Sequence, residues 1–198
     1  GVINENDRTN IGSPMPKFTF GWNNTFRYKG FDLSIFINGS YGNKVMNLTK
    51  RNLTTMSSPW ANQHADVLKR AQLEPIDPSI VYTDGTKWYN HVENVRVANP
   101  NASLPRAIIG DPNDNDRISD RYVEDGSYIR LKNISLGYTF PKKWMSPVGI
   151  QNLRIYVEGS NLFTISGLPD GIDPESPGVN NGYYPQQRTI MGGITLTF

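Results

Sequence analysis

The sequence predicts an all-β fold, a transmembrane antiparallel β-barrel fragment, and three observations carry that expectation. Five segments alternate apolar and polar residues at a period of two, over lengths close to the ~9 to 11 residues that a tilted strand needs to cross a bilayer. Short and long connections between these segments take turns, as in barrels with tight turns at one rim and large loops at the other. No apolar run approaches the roughly 18 residues of a spanning helix, so any meeting with a membrane is made by strands or at its surface.

Composition narrows the function classes. The chain has 198 residues, 20 Lys+Arg against 18 Asp+Glu, two His and no Cys. A net charge of +2 spread along the chain lacks the basic stripe of a nucleic-acid binder. Without Cys there is no disulfide framework, thiol nucleophile or thiolate metal site, and His64 and His91 alone make a His-rich centre a poor expectation. The length allows one large domain or two small ones. Gly1 is neither an initiator Met nor the start of a signal peptide, which points to a processed or truncated chain.

Residues 1–16, rich in Asn, Asp, Gly and Pro, read as an entering loop. From Lys17, the residues Phe18, Phe20, Trp22, Phe26 and Tyr28 share one parity against Thr19, Gly21, Asn23, Thr25 and Arg27, with Asn24 the misfit on the apolar side. Lys29-Gly30 makes a tight turn, after which Phe31, Leu33, Ile35, Ile37 and Tyr41 oppose Asp32, Ser34, Asn38 and Ser40, with Phe36 as the exception. The segment 43–126 is polar and broken by Pro59, Pro75, Pro78, Pro100, Pro105 and Pro112, with one helix-compatible stretch over 60–73. A connection of this length usually carries function.

Strand character returns over 127–140. There Ile134, Leu136, Tyr138 and Phe140 share a parity with Tyr128, Arg130 and Lys132, which reads as one face passing from water into hydrocarbon. After a turn containing Trp144 and Pro147, Leu153, Ile155, Val157 and Phe163 alternate with Arg154, Tyr156, Glu158 and Ser160. A second loop fills 167–187, and 188–198 places Ile190, Ile194, Leu196 and Phe198 on one face. The strands are thus expected at about 17–28, 31–42, 127–140, 153–164 and 188–198, with loops 43–126 and 167–187. The lipid-facing set is read as Phe20, Trp22, Leu33, Ile35, Ile134, Leu136, Tyr138, Ile194 and Leu196. A soluble β-sandwich also alternates; strand length, loop asymmetry and the terminal Phe favour the barrel. Five strands cannot close one, because single-chain barrels take at least about eight.

Ile11-Gly12-Ser13-Pro14-Met15-Pro16-Lys17-Phe18 and Tyr28-Lys29-Gly30-Phe31-Asp32-Leu33-Ser34 resemble the late-barrel hairpin of the SusC/RagA family of TonB-dependent outer-membrane transporters. The run from Ser119 through Asp125-Gly126-Ser127-Tyr128-Ile129-Arg130 to Ile134 is the most specific match. Asn161-Leu162-Phe163-Thr164, Gly171-Ile172-Asp173-Pro174-Glu175 and Tyr183-Tyr184-Pro185 continue it in order. The resemblance implies that 1–198 is the C-terminal part, the last five strands, of a 22-stranded barrel, with 43–126 and 167–187 extracellular. It also implies a plug and further strands elsewhere in the protein, coupling to TonB, a SusD-like surface lipoprotein, and a place in the outer membrane of a Gram-negative cell. Phe198 with Leu196 and Ile194 resembles the terminal signal read by the barrel-assembly machinery.

The implied activity is import of oligosaccharides with no chemistry on the substrate, and no cofactor is expected. Alternatives are an oligopeptide receptor, a siderophore or cobalamin receptor, and a secreted glycan-binding β-sandwich. Trp60, Tyr82, Trp88 and Tyr89 are candidates for contact with substrate or partner, since flat rings suit sugar faces and protein anchors; some of them could equally pack the loop against itself. Asp111, Asn113, Asp114, Asn115 and Asp116 offer oxygens for Ca²⁺. An EF-hand-like loop would want Gly and Glu where Asp116 and Tyr122 stand, so a solvated turn outweighs a metal site. His64 and Asp66 lack a nucleophile at recognisable spacing and read as surface polar residues.

Overall fold

The computed structural model describes residues 4–176 and 178–198; Gly1, Val2 and Ile3 of the entering loop and Pro177 of the second long loop lie outside them. The chain divides into two compact units, one made of 1–47 with 123–198, the other of 48–122.

The first unit is built on a hairpin. Strands β1 (Phe18–Tyr28) and β2 (Phe31–Tyr41) pair antiparallel from Phe18↔Tyr41 to Tyr28↔Phe31. Lys29 and Gly30 join them with φ of 47° and 91°, the two positive values that match a two-residue turn to the strand twist. A side chain on Gly30 would meet the Thr139 carbonyl oxygen at 2.7 Å. The short strand β3 (Lys44–Asn47) follows and leads into helix α1 (Leu48–Thr54), the first element of the second unit. That unit also contains β4 (Leu73–Pro75) and β5 (Val95–Val97), paired antiparallel.

The chain returns to the first unit as β6 (Val123–Asp125) and β7 (Tyr128–Thr139), then the one-turn helix α2 (Lys142–Met145), β8 (Asn152–Ser166), β9 (Val179–Asn180) and β10 (Thr189–Thr197). The five long strands form one antiparallel sheet in the order β1-β2-β7-β8-β10, with β1 and β10 at its edges. Beside it, β3 sits between β6, antiparallel, and β9, parallel.

Register assigns the faces, because residues paired across strands point the same way. From β1 to β10, the rows Phe26–Leu33–Leu136–Val157–Gly192 and Tyr28–Phe31–Tyr138–Ile155–Ile194 lie on one side. All nine residues of the expected lipid-facing set share that apolar side. Much of it is open, with Trp22 46%, Phe26 53%, Leu136 45% and Ile194 65% exposed. Buried apolar residues among those described are Val45, Tyr122 and Leu168, none of them in the five long strands. Phe36, the parity exception, lies on the polar side, its ring 3.4 Å from where a Cβ on Gly21 would stand. No helix among the described residues is long and apolar enough to cross a membrane.

Two expectations are corrected. Tyr128 and Arg130 do not share a face with Ile134 and Leu136. The ladder slips between β2 and β7, where adjacent Phe36 and Ile37 pair with Asn133 and Leu131, leaving Lys132 as an extra residue. One extra residue reverses the alternation, so Ile129 and Leu131 join the apolar side while Tyr128 and Arg130 turn to the polar one. In β8 the slip is matched at Asn161 and Leu162, with Asn161 at φ 53°. The stretch 60–73 is likewise not an amphipathic helix. It holds only a 3₁₀ turn, Ala65–Lys69, followed by β4, because the backbone finds its partners elsewhere: Arg70 bridges to Leu104 and the Ala71 N–H donates to the Leu104 carbonyl.

Candidate functional site

On the polar side of the sheet the second long loop is tied down by charge. Arg130 is buried, and its Nη2 donates to Asp173 Oδ1 at 3.0 Å, both side chains being 5% exposed. Its Nε donates to Thr164 Oγ1, and its Nη1 lies 3.0 Å from Glu175 Oε2 without hydrogen-bond alignment. Glu175 also accepts from Lys132 Nζ at 2.5 Å and Asn38 Nδ2 at 2.9 Å.

Burial pushes the carboxyl of Asp173 up, but the N–H groups of Gln186 and Glu175 with Arg130 outweigh it and hold the carboxyl below its ordinary value. Glu175 is held down in the same way, burial being outweighed by Lys132, Asn38 and Arg130. Gly171–Glu175 is thereby clamped to β2 and β7 by groups that the bulge at Lys132 turns inward. Just before β7, Asp125 accepts from the N–H and hydroxyl of Ser127, while Gly126 lies so close to Asn43 and Val45 that any side chain would collide. Nearer the tight turn, Arg154 grips Asp32 with two bonds of 3.0 and 2.5 Å.

Within the second unit a cleft of about 590 Å³ opens among Arg70–Leu73, Trp88–Asn90 and Arg106–Ile109. Its walls are fixed by polar ties. The Asn99 side chain donates to the Arg70 carbonyl and accepts from the Gln72 N–H, and Ala98 N–H donates to the Gln72 carbonyl. A 3₁₀ turn presents Trp88 and Tyr89, whose rings meet edge-on at 5.6 Å and 77°. The Arg106 guanidinium lies 6.0 Å from the Tyr89 ring centroid.

Of the four aromatic candidates, only Trp88 and Tyr89 enter this cleft. Tyr82 stacks on His91 at 3.6 Å, part of a cluster in which His91 also reaches Asp84, Thr86 and Glu93. Trp60 stands alone at 93% exposure.

The other sequence candidates have structural employment. His64 caps the Ala65–Lys69 turn by accepting from the Asp66 N–H, and Asp66 pairs with Lys69 at 2.7 Å. Asp111 accepts from Asn115 Nδ2 and the Asp116 N–H, which together overcome its burial and lower its pKa. Asp116 pairs with Arg51 at 3.0 Å, and Asp114 lies 3.8 Å from Arg117. Among the described residues no group of three or more His, Asp or Glu is arranged to hold a metal ion. Sequence reasoning missed Arg70, Arg106 and the Arg130–Asp173–Glu175 clamp. The signal for the clamp was present: opposite charges stand in two of the motifs quoted for the family resemblance.

No family model matches the chain. Over its whole length it is 35% identical to TonB-dependent receptor P3 and 33% identical to TonB-dependent receptor P26, both of Formosa agariphila. TonB-dependent receptor SusC of Bacteroides thetaiotaomicron is 26% identical, again across the whole chain. The chain spans only 17 to 18% of the length of these relatives. Among solved structures, the RagAB peptide transporter superposes with a TM-score of 0.66 over 94% of this chain and 18% of that one, at 21% identity. A second RagAB structure, in the "closed-closed" state, gives 0.64. This likeness is one of fold.

Proposed function

The chain belongs to the SusC/RagA family of TonB-dependent receptors, and from that premise we propose that it serves the import of oligosaccharides across the outer membrane of a Gram-negative bacterium. TonB drives the import and a SusD-like surface lipoprotein assists it. The observation that carries this proposal is the continuous apolar face across five strands, left open to its surroundings. A secreted sandwich would cover such a face with a second sheet; lipid covers it here. β1 and β10 pair with further strands of the barrel, and Phe198 takes part in assembly. The 48–122 unit and the 167–187 loop are extracellular. The chain acts on no bond of its cargo.

The test uses the whole receptor in its outer membrane. Extraction only with detergent, co-purification of a surface lipoprotein and TonB-dependent uptake of a labelled oligosaccharide are the expected results. Release into the soluble fraction would restore the sandwich. The RagAB likeness raises a second reading, import of oligopeptides, so labelled peptides belong in the same assay; uptake of peptides alone would replace the sugar cargo.

A further inference from the structure

We propose that the cleft lined by Trp88 and Tyr89 is a binding site for an anionic sugar, one bearing a carboxylate or a sulfate, which Arg70 and Arg106 hold by charge while the rings pack on its apolar face. This deepens the import reading and rests on it.

The cleft carries two guanidiniums and no carboxylate. Its other lining residues are Gln72, Asn90, the aromatic pair and small or aliphatic side chains. Elsewhere in the same unit Arg51, Arg96 and Arg117 each stand against a carboxylate, Asp116, Glu74 and Asp114 respectively. Arg70 and Arg106 have no such partner among the described residues. The acidic side chains near in sequence are turned to other partners. Glu74 holds Arg96, Asp77 holds Ser79, Asp84 holds Thr86, and Glu93 faces His91. Among the described residues no carboxylate of this unit therefore stands against either cleft guanidinium.

A guanidinium offers a planar fork of donors that matches a carboxylate or sulfate edge. Arg70 leaves the chain where Asn99 and Leu104 pin the backbone, and Arg106 follows Pro105 and leans on Tyr89, so little order remains to be lost when a ligand arrives. The volume lies in the range of small-ligand sites, which run from ~300 to ~1,000 Å³. Sugars combine hydroxyls with flat C–H faces, and the cleft combines the side-chain amides of Gln72 and Asn90 with two rings at 77°.

The experiment is titration of the purified whole receptor in detergent, read by quenching of tryptophan fluorescence and by calorimetry. Four probes of equal length are used: an oligogalacturonate, a sulfated galactan oligosaccharide, neutral maltotriose and an oligoglutamate. At least one anionic sugar should bind, more weakly as salt rises, and maltotriose should bind at least tenfold less well. Arg106→Gln and Arg70→Gln should each weaken the anionic sugar about tenfold or more. Arg121→Gln, which removes an exposed charge outside the cleft, should leave it unchanged. Equal binding of maltotriose, indifference to both cleft substitutions, equal binding of an oligoglutamate, or no binding of either anionic sugar would each overturn the proposal. Anionic binding that survives while uptake fails would instead count against the import reading alone.

Discussion

The five-stranded sheet and the 48–122 unit are made by different physics. In the sheet, one side of every long strand is apolar and the order comes from a ladder of backbone hydrogen bonds running from β1 to β10. In the 48–122 unit regular elements are few and short, and order comes from individual polar ties. Asn94, 5% exposed, holds the chain at Asp77; Asn99 holds it at Arg70 and Gln72; Asp111 holds it at Asn115 and Asp116. The sheet therefore tolerates side-chain changes that keep parity, whereas the other unit depends on particular side chains. The same contrast separates wall from site: a periodic pattern makes a surface, and aperiodic ties place a ring or a guanidinium.

The clamp on the 167–187 loop is where the sheet departs from its own rule, and it should give the largest effect. Replacing Arg130 by Met strands the buried Asp173 carboxylate and takes one cation from Glu175, a loss of about 3 to 5 kcal/mol for a broken buried pair. The loop should then become cleavable by added protease in intact cells while the receptor still reaches the membrane. An uncleaved loop would mean that the strand ladder, rather than the charges, holds it.

Leu136→Arg on the apolar side should cost about 2 to 4 kcal/mol near the membrane midplane, and Ser135→Arg on the polar side far less. Equal unfolding free energies in liposomes would erase the distinction between the faces.

A smaller effect should follow from acid. Asp173 and Glu175 have lowered pKa values in the folded state, so the stability they lend is complete above their unfolded values of about 3.9 and 4.3 and fades as pH falls through the lower folded ones. Hydrogen exchange, corrected for intrinsic rate, should show 167–187 unchanged between pH 7 and 5 and loosened below about pH 4. Glu175→Gln should reduce that dependence. The smallest effect belongs to Trp60→Ala: with its ring 93% exposed and outside the cleft, substrate binding should hardly change, whereas Trp88→Ala should weaken it by about 1 to 3 kcal/mol. A large loss from Trp60→Ala would move the site off the cleft, toward a partner surface.

Legibility in the sequence followed the same division. Period-two alternation carried the five strands and the shared face of Phe20, Leu33, Leu136 and Ile194, because an exposed apolar side cannot be hidden from a parity count. It failed at Lys132, since a bulge leaves no compositional mark and silently changes which residues belong together. Helical spacing suggested order over 60–73, but spacing is blind to the distant Leu104 and Asn99 that claim that backbone. Trp88 and Tyr89 were legible as rings in a polar loop; Arg70 and Arg106 became legible only once 30-odd residues of chain between them had been folded away.

The extra residue in β7 also constrains what descent can alter. Taking Lys132 out of the chain would set Leu131 beside Asn133, apolar beside polar, and so restore plain alternation with Arg130 and Tyr128 still inward and Ile129 and Leu131 still outward. The guanidinium would keep Asp173, and Glu175 would lose the Lys132 ammonium. The extra residue and the Asp-Pro-Glu run of Asp173–Glu175, 41 residues from Lys132 to Asp173, can thus part company in descent: a lineage that drops Lys132 keeps Arg130 on the loop, whereas one that keeps Lys132 but draws it into the ladder turns Arg130 to the apolar side and leaves Asp173 without its counter-charge.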